Sequence, residues 1–259
     1  MTPVAFQSSS LQTGNITVEN VEHFSIPNKN ANTYALAHGN RSVLPFINYP
    51  SRQIVVKGHI KGSSVADLDT RLDNLKALLN NTKNGNLDVG HAGGTRRYIA
   101  TLTGFDPDRD RGLAVADWTA IFTCINPFGL TITPVAGISD ATNTAATDNW
   151  THTFQGNAEI QLPVFTLTYT TITGGSTGHI KLTNNANGQG IIIVGQPFVN
   201  GDIIKIDSAL RGVFRNGVEI DYLGSFPEVA PGIPVQFNYE DGFSARSYAI
   251  DMSYNPLWL

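Results

Sequence analysis

The chain has one cysteine in 259 residues, so no internal disulfide can staple it. That residue, Cys124, lies in Trp118–Ile125, an alternating run that predicts a strand with a buried thiol rather than a nucleophile. Charge is scarce too. Only 15% of residues are charged and the net charge is −4, which argues against a nucleic-acid binder that relies on a basic footprint. No apolar run is long enough to span a bilayer, so no membrane segment is expected. Met1–Val4 has no basic region followed by an apolar core, so no secretion signal is expected. The histidines (His23, His38, His59, His91, His152 and His179) are scattered, with no metal-ligand spacing and no cysteine pair beside them.

Other catalytic signatures are missing. There is no G-x-S-x-G elbow, and Gly93-Gly94-Thr95 lacks the lysine and following helix of a phosphate loop. Asp106, Asp108 and Asp110 alternate like the start of a calcium loop, with Asp117 in the twelfth place. The sixth place is Arg111 instead of glycine, the bidentate glutamate is absent, and Arg109 and Arg111 can neutralise the aspartates. A solvated hairpin tip is the reading. Asp202 and Asp207, in a predicted strand, point to opposite faces and read as turn and edge residues, not an acid–base pair. Trp150 and Trp258 read as core aromatics before a sugar platform. The expectation is a protein that is not an enzyme and takes no cofactor or metal.

What is plentiful is glycine, threonine, asparagine and serine, the composition of a turn-rich β protein. One stretch, Ile54 to Val89, organises the rest. Ile54, Val56 and Ile60 alternate as a half-buried strand; Gly62, Ser63 and Ser64 break it. Ser64 and Asp67 form a capping-box pattern. Val65, Leu68, Leu72, Leu75 and Leu79 then recur at helical spacing, predicting one principal helix over 64–80. Asp67, Asp69 and Asp73 lie in its first half and Lys76 and Lys83 near its end, as the helix dipole favours.

Around this unit, Gly14 to Phe24 reads as a short strand or two. Residues 26–50 carry Pro27, Pro45 and Pro50 and read as an irregular arm, with too little alternation to fold back as its own sheet. An arm of that length suggests an assembly contact, burying Tyr34, Leu44, Phe46 and Ile47 on a neighbouring subunit. Strands are expected at Arg97–Thr103 and Ala116–Ile125, with a charged loop at Asp106–Gly112 between them. Gly137–Asn149 is small and polar and offers the best domain boundary. The organisation expected is therefore a first domain over 1–138, a linker over 139–156 and a second domain over 157–259. In the second, short strands punctuated by turns predict a β-sandwich. Asn216-Gly217 is a two-residue hairpin signal and Asp241-Gly242 a second.

The order of these features resembles the distal tail protein (Dit) family of phages with long, non-contractile tails. The matching residues are Ile54–Ile60, Leu68 through Leu79, Gly85–Leu87, Arg97–Ala100 and Phe122–Phe128. In the second half they are Asn184 to Gly190, Gly201–Asp207, Asn216-Gly217, Phe226-Pro227, Pro231-Gly232 and Tyr254–Trp258. The resemblance implies a mainly β structural protein. Its first, belt domain is a β-sandwich with one helix, closing into a homo-hexameric ring at the end of the tail tube. Its second domain is a galectin-like or carbohydrate-module-like sandwich that carries adhesion-device proteins. The implied partners are the major tail tube protein, the tail-associated hub or tip protein, and receptor-binding or fibre proteins. The implied location is the virion tail tip, after synthesis in the host cytoplasm. Genomic DNA would pass through the ring without specific binding, which suits the acidic balance. The rival reading is a stand-alone carbohydrate-binding β-sandwich.

Overall fold

The structure, a computed structural model, describes residues 3–23, 25, 30–35, 42–80, 83–91, 93–109, 112–175 and 178–259, with the backbone alone in the strands at 30–35 and 42–48. It is mainly β, with one helix among the described residues. The chain divides into two compact units, Met1–Ile132 and Thr133–Trp258.

The first unit comprises β1 (Val4–Phe6), β2 (Ser9–Ser10), β3 (Ile16–Glu22), β4 (Asn30–Ala35), β5 (Ser42–Asn48), β6 (Arg52–Lys61), α1 (Val65–Leu79), β7 (Gly85–His91), β8 (Gly94–Arg109), β9 (Val115–Cys124) and β10 (Gly129–Thr131). Its main sheet runs β2-β1-β7-β8-β9-β6-β3, with β10 paired to β8. β6 alternates as its sequence requires. Ile54, Val56 and Ile60 are fully buried, whereas Gln53 and Lys57 are exposed. Gly58 holds an inward position because a Cβ there would lie 2.0 Å from the Thr17 carbonyl and 2.8 Å from the Trp118 ring. The sheet curls. β1 and β9 are three places apart, about 14 Å in a flat sheet, yet the rings of Phe6 and Phe122 are 5.2 Å apart.

Helix α1 packs on β6, β8 and β9 through Leu68, Leu72, Leu75 and Leu79, all buried. Each such leucine stabilises by about 1.5–3 kcal/mol. The cap differs slightly from the expected box. The Ser64 side chain accepts from the Asp67 N–H, but the Asp67 carboxylate returns to Ser63, accepting from its N–H at 2.7 Å and its hydroxyl at 3.0 Å.

Two expectations for this unit are corrected. The arm is not irregular: β4 and β5 pair antiparallel as a two-stranded ribbon, with Asn30 opposite Asn48 and Ala35 opposite Ser42. Pro45 is tolerated because each strand of such a ribbon has one open edge. The charged loop is largely strand as well. β8 continues to Arg109, with Asp106 opposite Thr119 and Asp108 opposite Asp117. β7 pairs with β8 only as far as Ala100, so Pro107 meets an open edge on one side. Asp110 and Arg111 lie outside the described residues.

The second unit contains β11 (Val135–Asn143), β12 (Thr147–Thr153), β13 (Val164–Thr173), β14 (Ile180–Asn184), β15 (Gly190–Ile193), β16 (Ile203–Asp207), β17 (Gly212–Arg215), β18 (Val218–Glu219), β19 (Leu223–Gly224), β20 (Pro234–Asp241), β21 (Ala245–Tyr254) and β22 (Leu257–Trp258). A sheet of order β11-β21-β13-β16-β17-β18 faces one of order β12-β20-β14-β15-β19. Their inward residues share one core, where the rings of Phe165 and Phe237 stand 4.9 Å apart. The expected linker over 139–156 is corrected: most of it is spent in β11 and β12, the edge strands of these sheets. Small polar composition misleads there, because Ile138 and Trp150 still face the core. Asn216 and Gly217 take positive φ values of 52° and 82° and join β17 to β18, as a tight hairpin requires. Asp241-Gly242 makes no hairpin, since β20 and β21 belong to different sheets. Asp241 is instead buried, bonded to Tyr239 and Arg246.

Replacing Leu72 with Asp places a charge in the helix–sheet interface and should destabilise the first unit by about 3–5 kcal/mol, read as a lowered urea midpoint. Acid should act through the cap. The Ser63 N–H, then Arg71 and the Ser63 hydroxyl, hold the Asp67 pKa down at about 2, from an ordinary 3.8. A lowered folded-state pKa means this contribution is complete above the ordinary value and is lost as pH falls through about 2. Asp67→Asn should therefore lose less melting temperature than the parent between about pH 5 and about pH 2.

Candidate assembly surface

The arm leaves the first unit at a fixed root. Arg52, the first residue of β6, is only 5% exposed. Its guanidinium donates to the carbonyls of Ser25 at 2.7 Å and Pro127 at 3.3 Å, and to that of His23. It also stands over the Tyr98 ring, 5.5 Å from the centroid. Burial pulls its pKa below the ordinary arginine value, and Tyr98 opposes that shift. His23 is fully buried, and burial lowers its pKa as well. The clamp thus binds the chain entering the arm to the loop that follows β9. Beyond it, Tyr34 lies in β4 and Leu44, Phe46 and Ile47 in β5, so one ribbon gathers all four expected contact residues. Their side chains lie outside the described residues. The sequence signal for Arg52 is its phase: it occupies an inward position of β6, in step with Ile54 and Val56.

A second surface feature lies between α1 and the outer half of β8. Lys76, Ala77 and Asn80 form one wall, and Leu102, Phe105 and Pro107 the other, of a groove of about 630 Å³. Leu102 and Phe105 are partly buried and pack on the core beneath it, so the floor is apolar. Arg109 at the end of β8 also pairs with Asp69 of α1 at 2.5 Å, a second tie between the two elements that form the groove.

The candidate chemical residues are dispersed. Burial pushes the Cys124 thiol up to about 11, far from a reactive thiolate. Asp202 is buried against Arg215 at 2.9 Å, and Asp207 caps a turn through the N–H groups of Ala209 and Leu210. No group of three or more His, Cys, Asp or Glu side chains converges among the described residues.

Among solved structures, the SPP1 Dit protein, a hub adsorption apparatus of a phage infecting Gram-positive hosts, superposes over 100% of both chains with a TM-score of 0.74 at 15% identity. The fold is the Dit fold. A component of the phage P2 baseplate in its activated conformation matches 98% of this chain and 97% of its own at a TM-score of 0.50 and 10% identity. No protein-family model matches the sequence, and no curated protein does. The Dit fold survives at 15% identity because burial pattern and strand pairing, not particular surface residues, define it.

Arg52→Met keeps the aliphatic stem and removes the donors, leaving buried carbonyls unpaired. It should cost about 2–4 kcal/mol in urea unfolding, whereas Lys57→Met on the exposed face of the same strand should stay within about 0.5 kcal/mol.

Proposed function

We propose that the chain is a structural virion protein of a long, non-contractile phage tail, acting as the tail hub at the tube's distal end. The observation that carries this reading is the end-to-end likeness to the SPP1 Dit hub protein, across both units at once. The first unit is the belt domain and closes into a homo-hexameric ring; the second is the outward galectin-like domain. The ring joins the major tail tube protein to the tail-associated hub or tip protein, and the second unit carries receptor-binding or fibre proteins. The ribbon β4–β5 is the contact arm, bringing Tyr34, Leu44, Phe46 and Ile47 to the next subunit. A two-stranded ribbon is marginal alone, so a second surface stabilises it. Head-to-tail contacts of this kind close into a ring when the rotation closes. DNA passes without being held, since a net charge of −4 offers no phosphate footprint. The protein acts at the virion tail tip and performs no catalysis.

Six copies of a 27.9 kDa chain have a mass of about 167 kDa. Light scattering at high concentration should report that mass, and negative-stain images of the protein, alone or bound to purified tail-tube ends, should show a ring. Replacing the ribbon, residues 30–48, with a short Gly-Ser linker should weaken or abolish assembly while leaving both units folded, since β1 to β3 of the main sheet are kept. A full-length protein that stays monomeric at high concentration, ignores tube ends and binds a glycan array overturns the hub reading in favour of the lectin-like alternative.

A further inference from the structure

In the second unit the chain crosses from one sheet to the other between β11 and β12, and acidic side chains lie just inside that crossing. Asn143, at the end of β11, is buried, at 7% exposure. Its side-chain amide reaches Asp140 Oδ2 at 2.8 Å and Asp148 Oδ2 at 2.9 Å. Trp150 Nε1 donates to Asp140 Oδ2 at 3.2 Å, and the Asn149 N–H donates to Asp148 Oδ1 at 2.8 Å. Among the described residues no lysine, arginine or histidine forms an ion pair with either carboxylate. Two carboxylates that meet only neutral donors at a half-buried seam leave negative charge uncompensated.

Tyr248 is an independent observation at the same place. It stands opposite Asn143 in the β11–β21 register, faces inward at 1% exposure, and its hydroxyl has no hydrogen-bond partner. Its ring lies 4.6 Å from that of Tyr239, which is itself opposite Asp148 in the β12–β20 register. A buried hydroxyl with no hydrogen-bond partner, set opposite the amide that bridges two carboxylates, adds a further oxygen to the cluster.

The Asn143 amide has two orientations. With nitrogen inward it donates to both carboxylates; turned by half a turn it presents oxygen, 2.8 Å from Asp140 Oδ2 and 2.9 Å from Asp148 Oδ2. We propose that Asp140, Asn143 and Asp148 form a binding site for a divalent cation of the calcium class, with the Asn143 oxygen turned inward and the Tyr248 hydroxyl toward the ion's water shell. All-oxygen donors select a hard cation over zinc or copper. Few protein ligands and a half-open seam put the dissociation constant at roughly 10⁻⁴–10⁻³ M. Bound there, the ion cancels the charge at the crossing and ties the edge strands of the two sheets together.

The full-length chain tests this with calcium and terbium as probes. Calcium at about ten times its dissociation constant should raise the melting temperature of the second unit by about 3–6 °C over the same sample in EDTA. Terbium should emit on indole excitation, because Trp150 contacts the Asp140 carboxylate. Trp150→Phe should lose the emission and keep the calcium shift, while Asp148→Asn should lose both. Equal melting temperatures in calcium and EDTA with no sensitised emission overturn the proposal and leave the amide nitrogen as the bridge. Undiminished binding by Asp148→Asn overturns it too. Should that variant not fold, the calcium–EDTA comparison on the parent chain decides.

Discussion

The first unit depends on the burial of one leucine stripe. Without α1, the inward face of the main sheet, from Ile54 and Val56 to Trp118 and Phe122, would meet water. With it, Leu68, Leu72, Leu75 and Leu79 complete a core that no disulfide reinforces. The helix in turn depends on the sheet, since an isolated helix of fifteen residues is marginal in water. The caps at Ser64 and Asn80 set where it starts and stops; the sheet decides that it persists. Gly58 belongs to the same constraint, because it admits the Trp118 ring that fills the space beneath the curl.

The second unit rests on a sandwich core with a polar thread at one end. Tyr169 and Tyr239 share a hydrogen bond of 2.9 Å, Tyr239 donates to Asp241 at 2.5 Å, and Arg246 pairs with Asp241 at 2.9 Å. Desolvation raises the pKa of both tyrosines, so the thread carries hydroxyl protons and confines its negative charge to the carboxylate facing Arg246. A buried chain of this kind is stabilising only when its members are satisfied, and it fixes how the two sheets align.

Much of this was legible in the sequence, and the reasons are local. The helix was readable to within a residue because leucine spacing, cap residues and the charge gradient all agree. The Asn216-Gly217 turn was readable because positive φ at two successive positions admits few residue types. Cys124 reads correctly as a buried strand residue for the same kind of reason: alternation places it inward.

Pairing partners and convergent polar sites were not legible. Gly137–Asn149 looks like a linker by composition, yet much of it pairs with β20 and β21, which lie about a hundred residues later. Asp241-Gly242 carries the residues of a hairpin turn, but the chain there leaves one sheet for the other, and only the packing of the two layers requires that. Arg52 meets carbonyls 27 and 75 residues away, and the Tyr169 hydroxyl meets that of Tyr239, 70 residues on. By itself the sequence determined what depends on neighbours along the chain: helix, turns, alternation and fold class. Tertiary structure decided which edges pair and which polar groups meet, because those depend on the approach of segments far apart in sequence.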